Sequence, residues 1–330
     1  MTPPRTDDIR ILGIEGLLYG VTDPARSERY LDDWGFLPAQ SASGRRFQTQ
    51  EQTWIELRPH DDATLPPLNH VHPAFDGSCV REVVWGVDSA GTLERIGAEL
   101  RRDRTASVDA QGTLHSTDPG GNAIAFAVSR RVPVPQGPFS ANVAGEPPVR
   151  LDRQADGAAK GLVARPLRIN HCVYMAVSPQ ASVELAAFYR DRLGFRLSDD
   201  LGGKGFFLRP AGTRDHHNLL VECFGEGNRG VQHVAIEYRD LDHMMHRGAQ
   251  LEAQGWQSHV GPGRHTLGSN FTWYFWSPLG GLMELVSDMD QLTERWQPRS
   301  IDPAKAGPPW AWLARPFPPG FRFGVAPRQG

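Results

Sequence analysis

The chain has 330 residues, room for two domains of ordinary size, and its 39% hydrophobic and 22% charged content is that of a soluble globular protein. Thirty-five basic against 38 acidic residues, a formal charge of −3, leave no electrostatic footprint for nucleic acid or an anionic membrane. No apolar run approaches the roughly 20 residues that span a bilayer. The N-terminal MTPPRTDDIR lacks a signal-peptide core. Cys79, Cys172 and Cys223, without CxxC spacing, fit a reducing, cytoplasmic location.

In chain order, ILGIEGLLYGVTDPARSERYLDDWGF predicts an apolar strand, then a helix opened by Asp23-Pro24 and closed near Gly35. VREVVWGVDSAGTLERIGAEL predicts a second strand, turn and amphipathic helix, and DPGGNAIAFAVS a closing turn and strand. Residues 131–165, rich in Pro, Gly, Ala and charge, predict a linker. The plan then repeats. RINHCVYMAVSPQASVELAAFYRDRLGF supplies a strand and a helix opened by Ser178-Pro179, with Leu185, Phe188, Tyr189 and Leu193 as its apolar stripe and Gly194-Phe195 as its end. VQHVAIEYRDLDHMMHRGAQL and SPLGGLMELVS follow as counterparts of the second module. The chain thus divides into residues 1–130, the linker, residues 166–290, and a tail 291–330. In the tail Trp296, Trp310, Trp312, Phe317 and Phe321 stand among prolines, a pattern expected to pack along the body in extended form.

Three residues on predicted strands of the second half stand out: His171, His233 and Glu284. Two imidazoles and a carboxylate are the ligand set of mononuclear non-haem iron(II) sites with open coordination positions. A lone strand histidine is ordinarily a satisfied core residue, but two at repeated positions and a carboxylate within the apolar LMELV call for a cation. Aligning the halves sets Glu15 opposite His171, Glu82 opposite His233 and Ala125 opposite Glu284, so a single, C-terminal site is expected. Cys172 should face away from the site. His60, His70, His72, His115, His243, His246 and His259 are expected at the surface or in caps, and Gly280-Gly281 in a tight turn.

Over residues 8–290 the chain resembles the type I extradiol ring-cleaving dioxygenases of the vicinal oxygen chelate superfamily. The resemblance is most specific in GRHTLGSNFTWYFWSPLGGLME, where Gly263, His265, Tyr274, Pro278, Gly280 and Glu284 fill the family pattern. Trp273 and Ser277 depart from it at positions without a chemical role. The resemblance implies an α+β fold of four βαβββ modules, two per domain, with curved mixed sheets forming a funnel in each domain. Only the C-terminal funnel would hold metal: Fe(II), with Mn(II) the alternative, and O2 as co-substrate. His265 and Tyr274 would steady the substrate's oxygens. In RDHHNLLVECF one of two adjacent histidines can face the funnel. His217, before Asn218, fits the family's acid–base histidine better, with His216 in reserve.

The expected activity is cleavage of a substituted catechol, a small-molecule aromatic diol, to a hydroxymuconic semialdehyde-type product, in an enzyme that assembles as a homo-oligomer. A glyoxalase-like or 4-hydroxyphenylpyruvate dioxygenase-like metal enzyme and a metal-free binding protein are the alternatives.

Overall fold

A computed structural model describes residues 9–41, 43–73, 76–135, 137, 141–302, 304–305, 307–317 and 323. The first half forms β1 (Ile11–Val21), α1 (Pro24–Asp33), β2 (Leu37–Ala39), β3 (Arg45–Gln48), β4 (Trp54–Pro59), β5 (Cys79–Val87), α2 (Ala90–Leu100), β6 (Ser107–Val108), β7 (Leu114–Thr117) and β8 (Ala123–Val128). These strands make one sheet in the order β2-β3-β4-β1-β5-β8-β7-β6.

The second half repeats the plan with β9 (Arg168–Met175), α3 (Pro179–Ala187), β10 (Arg196–Asp200), β11 (Gly205–Arg209), β12 (Leu219–Glu222), β13 (Gly230–Glu237), α4 (Leu241–Ala253), β14 (Ser258–His265), β15 (Phe271–Trp276) and β16 (Leu282–Ser287). Its sheet order, β10-β11-β12-β9-β13-β16-β15-β14, reproduces the first strand for strand. The four expected βαβββ modules are therefore present. In each half the two modules join through the antiparallel pairing of their first strands, β1 with β5 and β9 with β13.

The helices begin where capping chemistry places them. Asp23 and Ser178 accept from the backbone N–H of Arg26 and Ala181, with a proline in the first turn of each helix. α3 ends sooner than its stripe predicts. A π-type turn, Phe188–Arg192, follows Ala187 and sets both Phe188 and Tyr189 into the core, before Gly194 reverses the chain at φ 71°. The Tyr189 hydroxyl donates to Asp118 of the first half at 3.1 Å.

The helix-facing sides of both sheets share one apolar core. Trp34 at the end of α1 lies edge-on to Phe275 of β15 (6.2 Å), and Trp85 of β5 to Phe195 (5.1 Å). That leaves the opposite, concave face of each sheet for other uses.

Two short tail strands border the second sheet: β17 (Arg299–Ser300) runs parallel to β10 at one edge, and β18 (Trp310–Leu313) antiparallel to β14 at the other. The tail therefore pairs with both edges of this sheet. Of its aromatics, Phe321 lies outside the described residues. Between the sheets residues 131–165 form one short 3-10 turn, Asp156–Ala158, among the described residues.

The concave face of the first sheet is filled by ion pairs. Glu56 accepts from Ser41, Ser43, Arg46 and Arg58; Glu15 accepts from Ser129 and the Arg130 N–H; Glu82 pairs with His115 at 2.8 Å. Sheet register also corrects one alignment. Val84 pairs with Gly16 as Ala235 pairs with His171, so Gly16 rather than Glu15 stands at the His171 position; the helix caps Asp23 and Ser178 keep the same offset, whereas Val21 and Val177 are one residue out of step. A side chain at Gly16 would collide with the Trp54 indole, which occupies that space.

Candidate metal centre

β13 lies between β9 and β16, and its Ala235 stands opposite His171 on one side and Glu284 on the other. The methyl group lets the two larger residues meet over it: His171 Nε2 lies 3.0 Å from Glu284 Oε2. His233, on the same strand face as Ala235, brings its Nε2 to 3.4 Å from the same oxygen. One potential ligand atom from each of the three lies within 4.8 Å of the others, and all three residues are buried. Among the described residues this is the one such group of three.

Each histidine is oriented by the residue before it. His171 Nδ1 donates to the Asn170 side-chain oxygen at 2.8 Å, and His233 Nδ1 donates to that of Gln232. With Nδ1 protonated, each Nε2 presents a lone pair to the centre. Asn170 is held in turn by its own donation to Glu237, which sits with Arg168 and Asp215 in a partly buried polar network. Glu284 Oε1 accepts from Thr272 at 2.5 Å, while its buried Oε2 has no hydrogen-bond donor.

Burial makes an ionised Glu284 costly, and with both Nε2 lone pairs turned toward it the compensating positive charge would come from a bound cation. Burial pushes His233 below the ordinary imidazole value. An ionised carboxylate oxygen without a donor, facing two imidazole lone pairs, fits a divalent cation, and the mixed N/O set suits iron or manganese. Two histidines and one carboxylate leave positions open for other ligands.

The remaining candidates surround this point. The His217 ring lies 4.3 Å from that of His171 and lines the cavity above the triad. His216, fully buried, turns away: its Nε2 donates to Asp199 at 2.8 Å, so its Nδ1 accepts from His217 Nδ1 at 3.1 Å. That chain leaves His217 a free lone pair at Nε2, and burial beside His171 and His216 pushes this imidazole well below its usual value. His265 Nδ1 donates to the Pro309 carbonyl at 3.1 Å, so its Nε2 accepts from the Tyr274 hydroxyl at 3.0 Å. Burial and the nearby Glu284 raise Tyr274 well above the phenol range, keeping the hydroxyl neutral.

A cavity of about 460 Å³ opens above these groups. Val173, Phe207, Leu220 and Phe224 line one side, and the tail's Ile301, Pro309 and Trp310 contribute to another. The Trp310 ring stacks on His265 at 5.7 Å and 26°.

Cys172 packs in the shared core, as strand alternation predicts. His243 contacts the helix-capping Asp240, and His246 bonds the Gly157 carbonyl, so neither joins the site. Sequence reasoning missed Asn170, Gln232, Thr272 and Glu222. The first two carry a readable signal, an amide residue directly before each ligand histidine in both repeats.

Comparison with known proteins agrees with this architecture. Residues 168–285 match the Glyoxalase/Bleomycin resistance protein/Dioxygenase superfamily. The chain is 28% identical over 283 residues to metapyrocatechase 2 of Cupriavidus necator, covering 82% of this chain and 79% of that protein. The fold is similar to that of the Mn(II)-bound glyoxalase from Novosphingobium aromaticivorans (TM-score 0.65, 23% identity, 90% of this chain and 89% of that one). It is also similar to that of homoprotocatechuate 2,3-dioxygenase from Arthrobacter globiformis (TM-score 0.67, 17% identity, 92% and 87%). Residues 168–285 thus carry a Glyoxalase/Bleomycin resistance protein/Dioxygenase superfamily domain, and the chain as a whole has a two-domain fold similar to that of solved extradiol dioxygenases.

Proposed function

We propose that the chain is a metal-dependent extradiol dioxygenase that opens the ring of a catechol beside its two hydroxyls. Both atoms of O2 enter the hydroxymuconic semialdehyde-type product, so no external reductant is required. The carrying observation is the convergence of His171, His233 and Glu284 at the base of an apolar cavity that His217, His265 and Tyr274 also line. The likeness to metapyrocatechase 2 supports the same reading.

His171, His233 and Glu284 would hold Fe(II) or Mn(II), which when bound brings a catecholate and O2 together and passes electrons between them. His217 moves a proton: its Nε2 lone pair takes one from the reacting diol and returns it as the ring opens. The Tyr274 hydroxyl, neutral and near Glu284, donates to a diol oxygen once substrate displaces it from His265. His265, fixed by Pro309, holds that phenol at the cavity until substrate takes over its hydrogen bond. The apolar walls exclude water from the reacting ring.

The test is anaerobic loading with Fe(II) or with Mn(II), followed by a panel of catechols in aerated buffer. Oxygen uptake with a yellow ring-opened product is expected. No uptake across the panel, or conversion without oxygen, would overturn the reading. His233→Ala should abolish metal retention, whereas His217→Ala should keep the metal and lose about 10²- to 10⁴-fold in kcat.

A further inference from the structure

Glu222 is the last residue of β12 and lines the cavity above the triad. Strand alternation sorts its neighbours: Leu219 and Val221 enter the shared core, while Leu220 and Glu222 face the cavity. β12 runs parallel to β9, with Glu222 opposite Met175. Met175 shares its strand face with His171. At about 3.3 Å per residue, Glu222 lies ~13 Å from His171 along the sheet.

The wall between them is apolar. Val173, Phe207 and Leu220 form a cluster of their own, with Leu201 and Phe224 packed against it. Three buried carboxylates elsewhere are engaged: Glu56 with Arg46 and Arg58, Asp199 with His216 and Arg299, Asp118 with Asn122 and Tyr189. Glu222 differs, since no described residue hydrogen-bonds or ion-pairs with its carboxyl. Burial alone raises that carboxyl from 4.5 to about 7. A partly buried carboxyl without a partner costs free energy that a leucine on the same wall would not. The cost is recovered when a ligand supplies the missing donor.

We propose that Glu222 is the specificity-determining residue at the far end of the cavity, accepting a hydrogen bond from a hydroxyl or ammonium group on the substituent of a bound catechol. The proposal rests on the catechol reading above and narrows it. With the diol at the triad, the substituent spans on the order of 10 Å from ring to tip. Its length is apolar, lying along Leu220 and Phe207, and its tip carries a donor. A tip ending in carboxylate is rejected, because it would meet a like charge in a desolvated place.

The test uses a matched series of catechols whose arms have equal length and end in methyl, hydroxymethyl, ammonium or carboxylate. The metal-loaded full chain, Glu222→Gln and Glu222→Leu are each measured for oxygen uptake and, without oxygen, for binding by calorimetry. The wild type should favour a donor tip over methyl by about tenfold or more in kcat/KM, carried by KM, and by a similar factor in Kd. Glu222→Leu should erase that preference. Glu222→Gln, which keeps the shape and an acceptor oxygen, should retain preference for hydroxymethyl, lose it for ammonium and admit carboxylate; this separates the two donor chemistries and controls for folding.

A donor preference equal in the wild type and Glu222→Leu, or absent from the wild type, overturns the proposal and leaves the carboxyl merely hydrated. If the wild type cleaves none of the series, the ring-cleavage reading falls. The binding arm then decides Glu222 by the same comparison.

Discussion

His171 Nε2 meets Glu284 Oε2 at 3.0 Å although β9 and β16 are not neighbours in the sheet. The intervening strand puts Ala235 directly between them, fully buried. The pairing of an imidazole with a carboxylate across a whole strand is possible because the residue beneath is a single methyl group. Ala235→Val should therefore wedge the ligands apart. Overpacking of this kind costs about 1–3 kcal/mol, and the larger effect should fall on the metal. A drop of at least about tenfold in Fe(II) or Mn(II) affinity is expected, since ligand sites tolerate little displacement. Titration with either ion, followed by calorimetry, checks this; unchanged affinity would mean the sheet flexes enough to restore the triad.

The amides behind the histidines give an independent prediction. Asn170 and Gln232 accept from Nδ1 of His171 and His233 and so select the tautomer that offers Nε2. Removing such a partner typically lowers metal affinity about 10- to 100-fold. Asn170→Ala should do so. Asn170→Asp, which keeps the acceptor, should recover much of the loss, and that rescue separates orientation from mere packing. Equal loss in both variants would assign the effect to the disrupted Glu237 and Asp215 network instead.

How far the sequence disclosed this site depends on which kind of contact each residue makes. His171, His233 and Glu284 were legible because each lies on a strand of a repeated module, where period-two alternation fixes the facing side chain. The choice of His217 over His216 for the cavity wall rested on resemblance. Its structural basis is Asp199, a residue on another strand that draws His216 away. Gly16 was missed because Val21 and Val177 look like counterparts but are one residue out of step, whereas the helix caps Asp23 and Ser178 keep the Gly16–His171 offset. The tail was read as extended, but its pairing with both sheet edges, and so its place over the cavity, depends on partners far away in the chain.

That tail placement makes Trp310 a test of whether the strap serves the site. Its ring stacks on His265, and the preceding Pro309 carbonyl fixes the His265 tautomer. Trp310→Ala should loosen β18 and lower kcat/KM by about tenfold or more, because a displacement near 1 Å in a positioning group can cost as much as 10²-fold. Trp85→Ala, a truncation in the shared core, should cost about 3–5 kcal/mol of stability with any activity loss tracking unfolding. A Trp310→Ala variant whose activity falls only in proportion to its melting midpoint would show that the tail merely packs.

The first sheet carries its own pH dependence, remote from the metal centre. His115 Nδ1 lies 2.8 Å from the buried Glu82 carboxylate and its Nε2 lies 3.2 Å from Asp109. The hydrogen bond to Glu82 is the largest cause that lifts this imidazole from 6.5 to about 9, against the opposing effect of burial. A cation stabilised in the folded state contributes fully below the unfolded value near 6.5, and the contribution is lost as pH rises through about 9. Because the ring is about a third exposed, screening reduces the effect to on the order of 1 kcal/mol. Denaturant unfolding between pH 6 and 10 should show stability falling across that window in the wild type. In His115→Gln the fall should be flatter, with metal affinity unchanged because the residue lies in the other sheet. A wild-type curve that rises from pH 6.5 to 9, or an identical slope in His115→Gln, would remove the Glu82–His115 pair as its cause.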